Sequence, residues 1–182
     1  MSEDYRARLL EEATQPAQEP LTLTEAKLYL RVDGSDEDDL IGQMIVAVRR
    51  AAEHYLRRTL VSRQWRLLYD EYAPLAPRLP MGPVTSIVSV TLLAEDGSPE
   101  IMDTALYHLN AARTRLCFDQ APSAFQVEIL YLAGYGTATD VPGSIRQGML
   151  AHLAEMYDGR ALAAGLPDAA LALYVPHREV SL

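Results

Sequence analysis

Chemistry in this chain would have to come from few side chains: four histidines, one cysteine, a run of acids and two glycines flanking a tyrosine. His54, His108, His152 and His177 are scattered, and none has a second histidine or a cysteine at metal-ligand spacing. His54 and His152 fall near or on the apolar stripes of predicted helices and read as packed, hydrogen-bonded groups. His177 lies in the C-terminal stretch and is the one histidine placed to meet a partner. Cys117, between Leu116 and Phe118 in a predicted strand, reads as a core thiol rather than a nucleophile. The acids of residues 33–39 invite a calcium reading, but Gly34 comes too early for an EF-hand loop and no glutamate closes it. Gly134-Tyr135-Gly136 lacks the lysine and hydroxyl of a phosphate-binding loop and the further glycine of a dinucleotide fingerprint. The expectation is therefore no catalytic residue, no metal and no cofactor. A metal-dependent nuclease, the enzyme alternative, would need a carboxylate cluster that does not stand out here.

The elements around these residues are more informative. Residues 35–60 read as one long amphipathic helix. Leu40, Ile41, Met44, Ile45, Val48, Ala52, Tyr55 and Leu56 form an apolar stripe, opposite Asp39, Gln43, Arg50, Glu53 and Arg57. Ser35 is the expected cap, acids sit at the positive end of the helix dipole, and Arg57 and Arg58 sit at the negative end. At 1.5 Å per residue such a helix spans about 35–39 Å. A shorter helix precedes it from residue 21, with Thr22 and Glu25 as a capping box and a stop near Gly34. Residues 1–13 predict a short helix on Leu9 and Leu10, and residues 14–20 a linker with two prolines; the alternative is an arm docking on a neighbour through Tyr5, Leu9 and Leu10.

After residue 61 the period changes to two. Strands are expected over residues 62–72 (Trp65, Leu67 and Tyr69 inward), 84–94 (Val88, Val90 and Leu92 inward) and 125–132 (Phe125, Val127, Ile129 and Tyr131 inward). Hairpins are expected at Glu95-Asp96-Gly97-Ser98 and around residues 111–113. Pro74, Pro77, Pro80 and Pro83 mark an extended connection. Helical period returns after Pro142, with Ile145, Met149, His152, Leu153, Met156 and Tyr157 on one face, and Asp168 is placed to cap a last helix over residues 169–174. The fold class is α+β: a helical domain, with a long central helix and C-terminal helices, carrying an inserted small antiparallel β-domain. The boundaries are 1–20 for a flexible arm, 21–61 and 141–182 for the helical domain with its tail, and 62–140 for the insertion.

The chain has 182 residues and 49% hydrophobic content, ample for a core. Its net charge of −9 argues against gripping nucleic-acid backbone, yet suits a surface past which DNA slides without sticking. One cysteine excludes an intramolecular disulfide, and neither a signal peptide nor a membrane-length apolar run is visible, so a cytoplasmic protein is expected.

Four stretches then carry a resemblance: LTLTEAKLYLRVDGSDEDDLI (residues 21–41), LPMGPVTSIVSVTLLAEDGS (79–98), YLAGYGTATDVPGSIRQGMLAHLAEMYDGR (131–160) and LPDAALALYVPHR (166–178). In this order they resemble the head–tail connector (adaptor) proteins of long-tailed bacteriophages and gene transfer agents. The resemblance implies a non-enzymatic subunit of a ring of about twelve copies; ring subunits expose complementary patches, and a head-to-tail contact closes only if its rotation fits the ring. Such a ring sits beneath the portal protein, extends the DNA channel without sequence-specific binding, and offers a surface to a stopper or tail-side protein. It assembles in the host cytoplasm and ends at the head–tail junction of the virion or phage-like particle. The neighbouring structural readings are a stopper or a tail terminator.

By position, the resemblance also implies that Leu173, Tyr174, Val175, Pro176, His177 and Arg178 bind the portal. On the ring reading, Arg49, Arg50, Arg57 and Arg58 are candidates for a subunit or portal contact; the competing reading is that they complement the helix dipole and pair with Glu53. Gly42 and Gly148 stand inside predicted helices, where glycine costs about 1 kcal/mol relative to alanine, so each predicts a close approach.

Overall fold

The computed structural model describes residues 9–159 and 165–178. The chain forms two compact units. One joins the segment ending at Gln15 to Ser62–Gly134; the other joins Pro16–Val61 to the segment from Tyr135 onward.

The first unit is a sheet built on alternation. Strands β1 (Leu9–Glu12), β2 (Arg63–Tyr72), β3 (Val84–Leu93), β4 (Pro99–Ile101) and β7 (Ser123–Ala133) make one antiparallel sheet in the order β1-β2-β7-β3-β4. A separate hairpin pairs β5 (Tyr107–Leu109) with β6 (Leu116–Phe118). Trp65, Leu67 and Tyr69 of β2 and Val127, Ile129 and Tyr131 of β7 are buried on one face, as their period requires. Tyr107, Leu116 and Phe118 of the hairpin complete that core, with Tyr107 and Phe118 meeting edge to face at 6.2 Å.

Four expectations need correction here. Leu9–Glu12 is a strand, not part of a helix: Leu10 pairs with Leu67, and Glu11 and Glu12 reach Arg66 and Arg63 at 2.7 and 2.8 Å. A four-residue apolar-acidic stretch beside an open sheet edge gains more from ladder bonds and ion pairs than from an isolated helical turn. The arm's proposed contact through Tyr5 lies outside the described residues. Val88 is exposed, because irregularities between Val84 and Ser86 and between Ile87 and Ser89 shift the register. The row facing Ala133, Tyr131, Ile129 and Val127 thus becomes Val84, Ile87, Val90 and Leu92. Phe125 shares the inward parity but lies past the core and is exposed. Cys117 is only half-buried, since its buried neighbours Leu116 and Phe118 take the inward positions.

The β-unit ends at Gly134, which has φ +136° and where an added Cβ would stand 2.5 Å from Ser62 Cα. Only glycine tolerates both the backbone and that approach.

The helical unit follows the 3.6-residue period. In α1 (Leu23–Leu30) the Thr22 hydroxyl accepts from Glu25 N–H, and the Glu25 carboxylate accepts from Thr22 N–H at 2.8 Å, the expected capping box. That bond holds the Glu25 carboxyl below the usual range. Helix α2 (Asp38–Leu56) is shorter than the periodicity predicts. At its start, Ser35 contributes its carbonyl to Asp38 N–H, and the N-cap Glu37 makes no side-chain capping bond. At its end, Arg57 turns left-handed with φ 54°. Ile41, Ile45, Val48, Ala52 and Leu56 of α2 pack with Ile145, Met149, Leu153 and Met156 of α3 (Gly143–Gly159) and with Ala170 and Tyr174 of α4 (Asp168–Tyr174). Asp168 is the first residue of α4 and not its cap; Pro167 holds the cap position without a side-chain bond. No helix among the described residues is long and apolar enough to cross a membrane.

The two interior glycines differ. A Cβ at Gly148 would lie 2.5 Å from Cε1 of Tyr174, whose ring is fully buried, whereas nothing lies within 4 Å of a Cβ at Gly42. Gly148→Ala should lower stability by about 1–3 kcal/mol despite its better helix propensity. Gly42→Ala should raise it by about 0.5–1 kcal/mol. Opposite shifts of the urea midpoint would verify the pair.

Candidate partner-binding surface

The C-terminal residues implied in partner binding meet Arg58 within the helical unit, around the C-terminal end of α2. Tyr174, the last residue of α4, is fully buried; its ring lies 6.1 Å from that of Tyr55, and its hydroxyl has no hydrogen-bond partner. Burial pushes that phenol far above its ordinary pKa. A short 3₁₀ turn, Val175–His177, follows directly. Arg58 Nε donates to the His177 carbonyl at 2.8 Å, His177 Nε2 lies 2.7 Å from Ser144 Oγ, and the Arg178 guanidinium sits 5.1 Å above the Tyr55 ring. The last described residues are therefore held in cis. Val175, Pro176 and Arg178 are exposed, Leu173 and His177 are half-buried, and Tyr174 is the peg.

The four arginines divide. Arg49 is 1% exposed: its Nε bonds Glu19 at 2.7 Å and its Nη1 bonds Glu53 at 3.0 Å. The pairing with Glu53 expected on the competing reading exists for Arg49, and burial withdraws this residue from any surface. Arg58 is half-buried on the C-terminal segment, while Arg50 and Arg57 are exposed and make no ion pair among the described residues. Sequence reasoning missed Glu19, which sits in the expected linker, and missed Ser144. Neither carries a periodic signal; only the folded chain brings them to Arg49 and His177.

An apolar cavity of about 300 Å³ opens beside α2 and α3, lined by Ala51, Tyr55, Met156 and Leu166 with the two histidines His54 and His152. His54 is exposed; His152 is 6% exposed and its Nδ1 has no hydrogen-bond partner. Among the described residues no group of three or more His, Cys, Asp or Glu side chains is arranged to hold a metal.

Two predictions follow from this geometry. Burial lowers the His152 pKa, with Glu155 opposing the shift, so the unfolded chain takes up the proton first as pH falls. The contribution of neutral His152 is complete above pH 6.5 and is lost progressively below it, and a His152→Gln chain should lose less stability than wild type between about pH 7 and 5. Urea midpoints at the two pH values measure this. The second concerns the latch: Arg58→Ala with Ser144→Ala removes both polar ties to His177. Amide exchange over residues 175–178 should then speed up by about tenfold, as expected from about 1–2 kcal/mol of lost hydrogen bonding, while exchange in α2 stays unchanged.

Comparisons with known proteins meet this geometry from two sides. Residues 20–104 match the family model of the phage gp6-like head-tail connector proteins. No curated protein sequence matches the chain. Among solved structures, a chain in the neck of an empty gene transfer agent particle, computed with C6 symmetry, is similar at a TM-score of 0.81 and 24% identity, over 96% of this chain and 97% of that one. A chain in the virion of a native gene transfer agent particle gives the same values. A chain in a native particle neck, computed with C12 symmetry, gives 0.71 and 23% over the same shares. At such identities the structural likeness is one of fold. Residues 20–104 thus carry the sequence pattern of the phage gp6-like head-tail connector family, and the chain around them has the α+β fold seen in gene transfer agent necks.

Proposed function

We propose that this chain is a structural head–tail connector subunit: it forms a ring beneath the portal protein, lengthens the DNA channel and joins the capsid to the tail. The observation that carries this reading is the agreement of two comparisons, a connector-family match over residues 20–104 and a neck-chain fold over 96% of the chain. The role is mechanical, and no reaction is assigned to any residue. A chain of net charge −9 resists adhesion to phosphate, which suits a wall past which DNA must slide.

In this reading Leu173, Tyr174, Val175, Pro176, His177 and Arg178 form the portal-facing segment. Tyr174 anchors it, and the exposed Val175, Pro176 and Arg178 offer an apolar and cationic surface. The opposite partner is a stopper or tail-side protein, and the place of action is the head–tail junction of the particle.

Mixing the purified chain with its assembled portal and imaging the product by electron microscopy tests the proposal. A second ring on the portal, with residues 173–178 against it, is the expected result. An intact portal that binds no chain would move the assignment to a stopper or tail terminator and remove the portal-facing role of the C-terminal segment.

A further inference from the structure

Helix α2 presents one exposed stripe, and the sign of its charge changes along it. The exposed side chains of the helix are Asp39, Leu40, Gln43, Arg50 and His54, followed by Arg57 at its left-handed end. At 3.6 residues per turn they fall within about 100° of the helix circumference and run over about 27 Å. The acidic end is extended by the exposed Asp33 and Asp36 of the preceding turn. Asp33, Asp36 and Asp39 make no ion pair among the described residues, and neither do Arg50 and Arg57. The acids beside them are engaged, Asp38 by Lys27 and Glu37 by the Tyr157 hydroxyl.

The acidic end also carries apolar surface. Leu28 is 82% exposed, Tyr29 41% and Leu40 45%. Lys27 binds both the Gly34 carbonyl and the Asp38 carboxylate, which draws the last turn of α1 against the first turn of α2. Leu28 and Tyr29 lie in the last turn of α1 and Leu40 in the first turn of α2, the two turns that Lys27 joins, and the exposed Asp33, Asp36 and Asp39 lie in and beside the connection between them. Exposed apolar side chains together with acids that lack an internal ion pair are the marks of a docking surface.

We propose that this corner receives the Arg50–Arg57 end of α2 from a second copy of the chain, in a head-to-tail contact. The inference rests on the ring reading given above and specifies the two surfaces that would close it. A second copy is the occupant because the complementary charge lies on the same helix. Like ends repel, and opposite ends attract through one repeated contact. A contact between two different patches propagates from copy to copy and closes when its rotation fits a ring. Antiparallel pairing of two α2 helices would match the same charges but would stop at a dimer.

Charge exchange tests this. One variant carries Arg50→Glu with Arg57→Glu, the other Asp36→Lys with Asp39→Lys. Each is added to the assembled portal, alone and as an equimolar mixture, with particles counted by electron microscopy and oligomers sized in solution; circular dichroism establishes that each is folded. Each variant alone should lose the ring, and the mixture, which alternates complementary ends, should restore it. Rings formed equally well by either folded variant alone would overturn the inference and leave the connector reading standing, as would two folded variants whose mixture fails where wild type assembles. A restored species that is only a dimer would overturn the head-to-tail arrangement. Wild-type chain that forms no ring on an intact portal would overturn the connector reading and this inference with it.

Discussion

The helical unit depends on one buried carboxylate. Glu53 is 3% exposed and lies a turn before the end of α2. One oxygen accepts from Arg49 and the other from the backbone N–H of Leu60, past the point where the chain has turned left-handed at Arg57. A helix end leaves backbone groups without intrahelical partners, and here a side chain from inside the helix reaches forward to satisfy one in the following segment. The same carboxylate fixes Arg49, and Arg49 fixes Glu19. Removing one partner of such a buried pair costs about 3–5 kcal/mol, because the other charge is left without compensation. The exit from α2, the position of the segment before α1 and the placement of Arg58 on His177 all follow from this junction.

That junction also governs what the C-terminal segment can do. Tyr174 is seated only because residue 148 lacks a side chain, and the turn after it is tied by one guanidinium, one hydroxyl and one aromatic face. The exposed residues there are presented from a fixed base and, in the portal-facing role proposed above, would lose little freedom on binding. Preorganisation of this kind supports affinity from a small contact.

The sequence made some of this legible and hid the rest for definable reasons. Helical and strand periods located α2, α3, β2 and β7, because their inward residues are contiguous and strongly apolar. The Thr22–Glu25 box was legible because both partners lie within one turn. The strand at Leu9–Glu12 was not, since its stability comes from Arg63 and Arg66, more than fifty positions away. Val88 was misplaced because two irregularities in β3 break the alternation without a glycine or proline to mark them. Among the candidate arginines, charge and spacing do not separate the exposed Arg50 and Arg57 from Arg49 on the same helix, which is buried. The resemblance pointed to residues 173–178, yet nothing in their composition tells that Tyr174 is inward and Val175 outward.

The edges of the sheet carry a further meaning. Its three long strands, β2, β7 and β3, have 10, 11 and 10 residues; β7 is paired on both sides, whereas β1 covers β2 over Trp65–Leu68 and β4 covers β3 over Thr91–Leu93. The outermost strands among the described residues are short: β1 has four residues, and β4 has three, beginning at a proline. Unpaired backbone along an edge is a template on which another chain can add strand after strand, and short or proline-bearing edges blunt it. In the connector role proposed above, such edges would let many copies lie close together without fibrillising. Leu9–Glu12, by pairing with Trp65–Leu68, takes the middle of the β2 edge out of reach of any second chain.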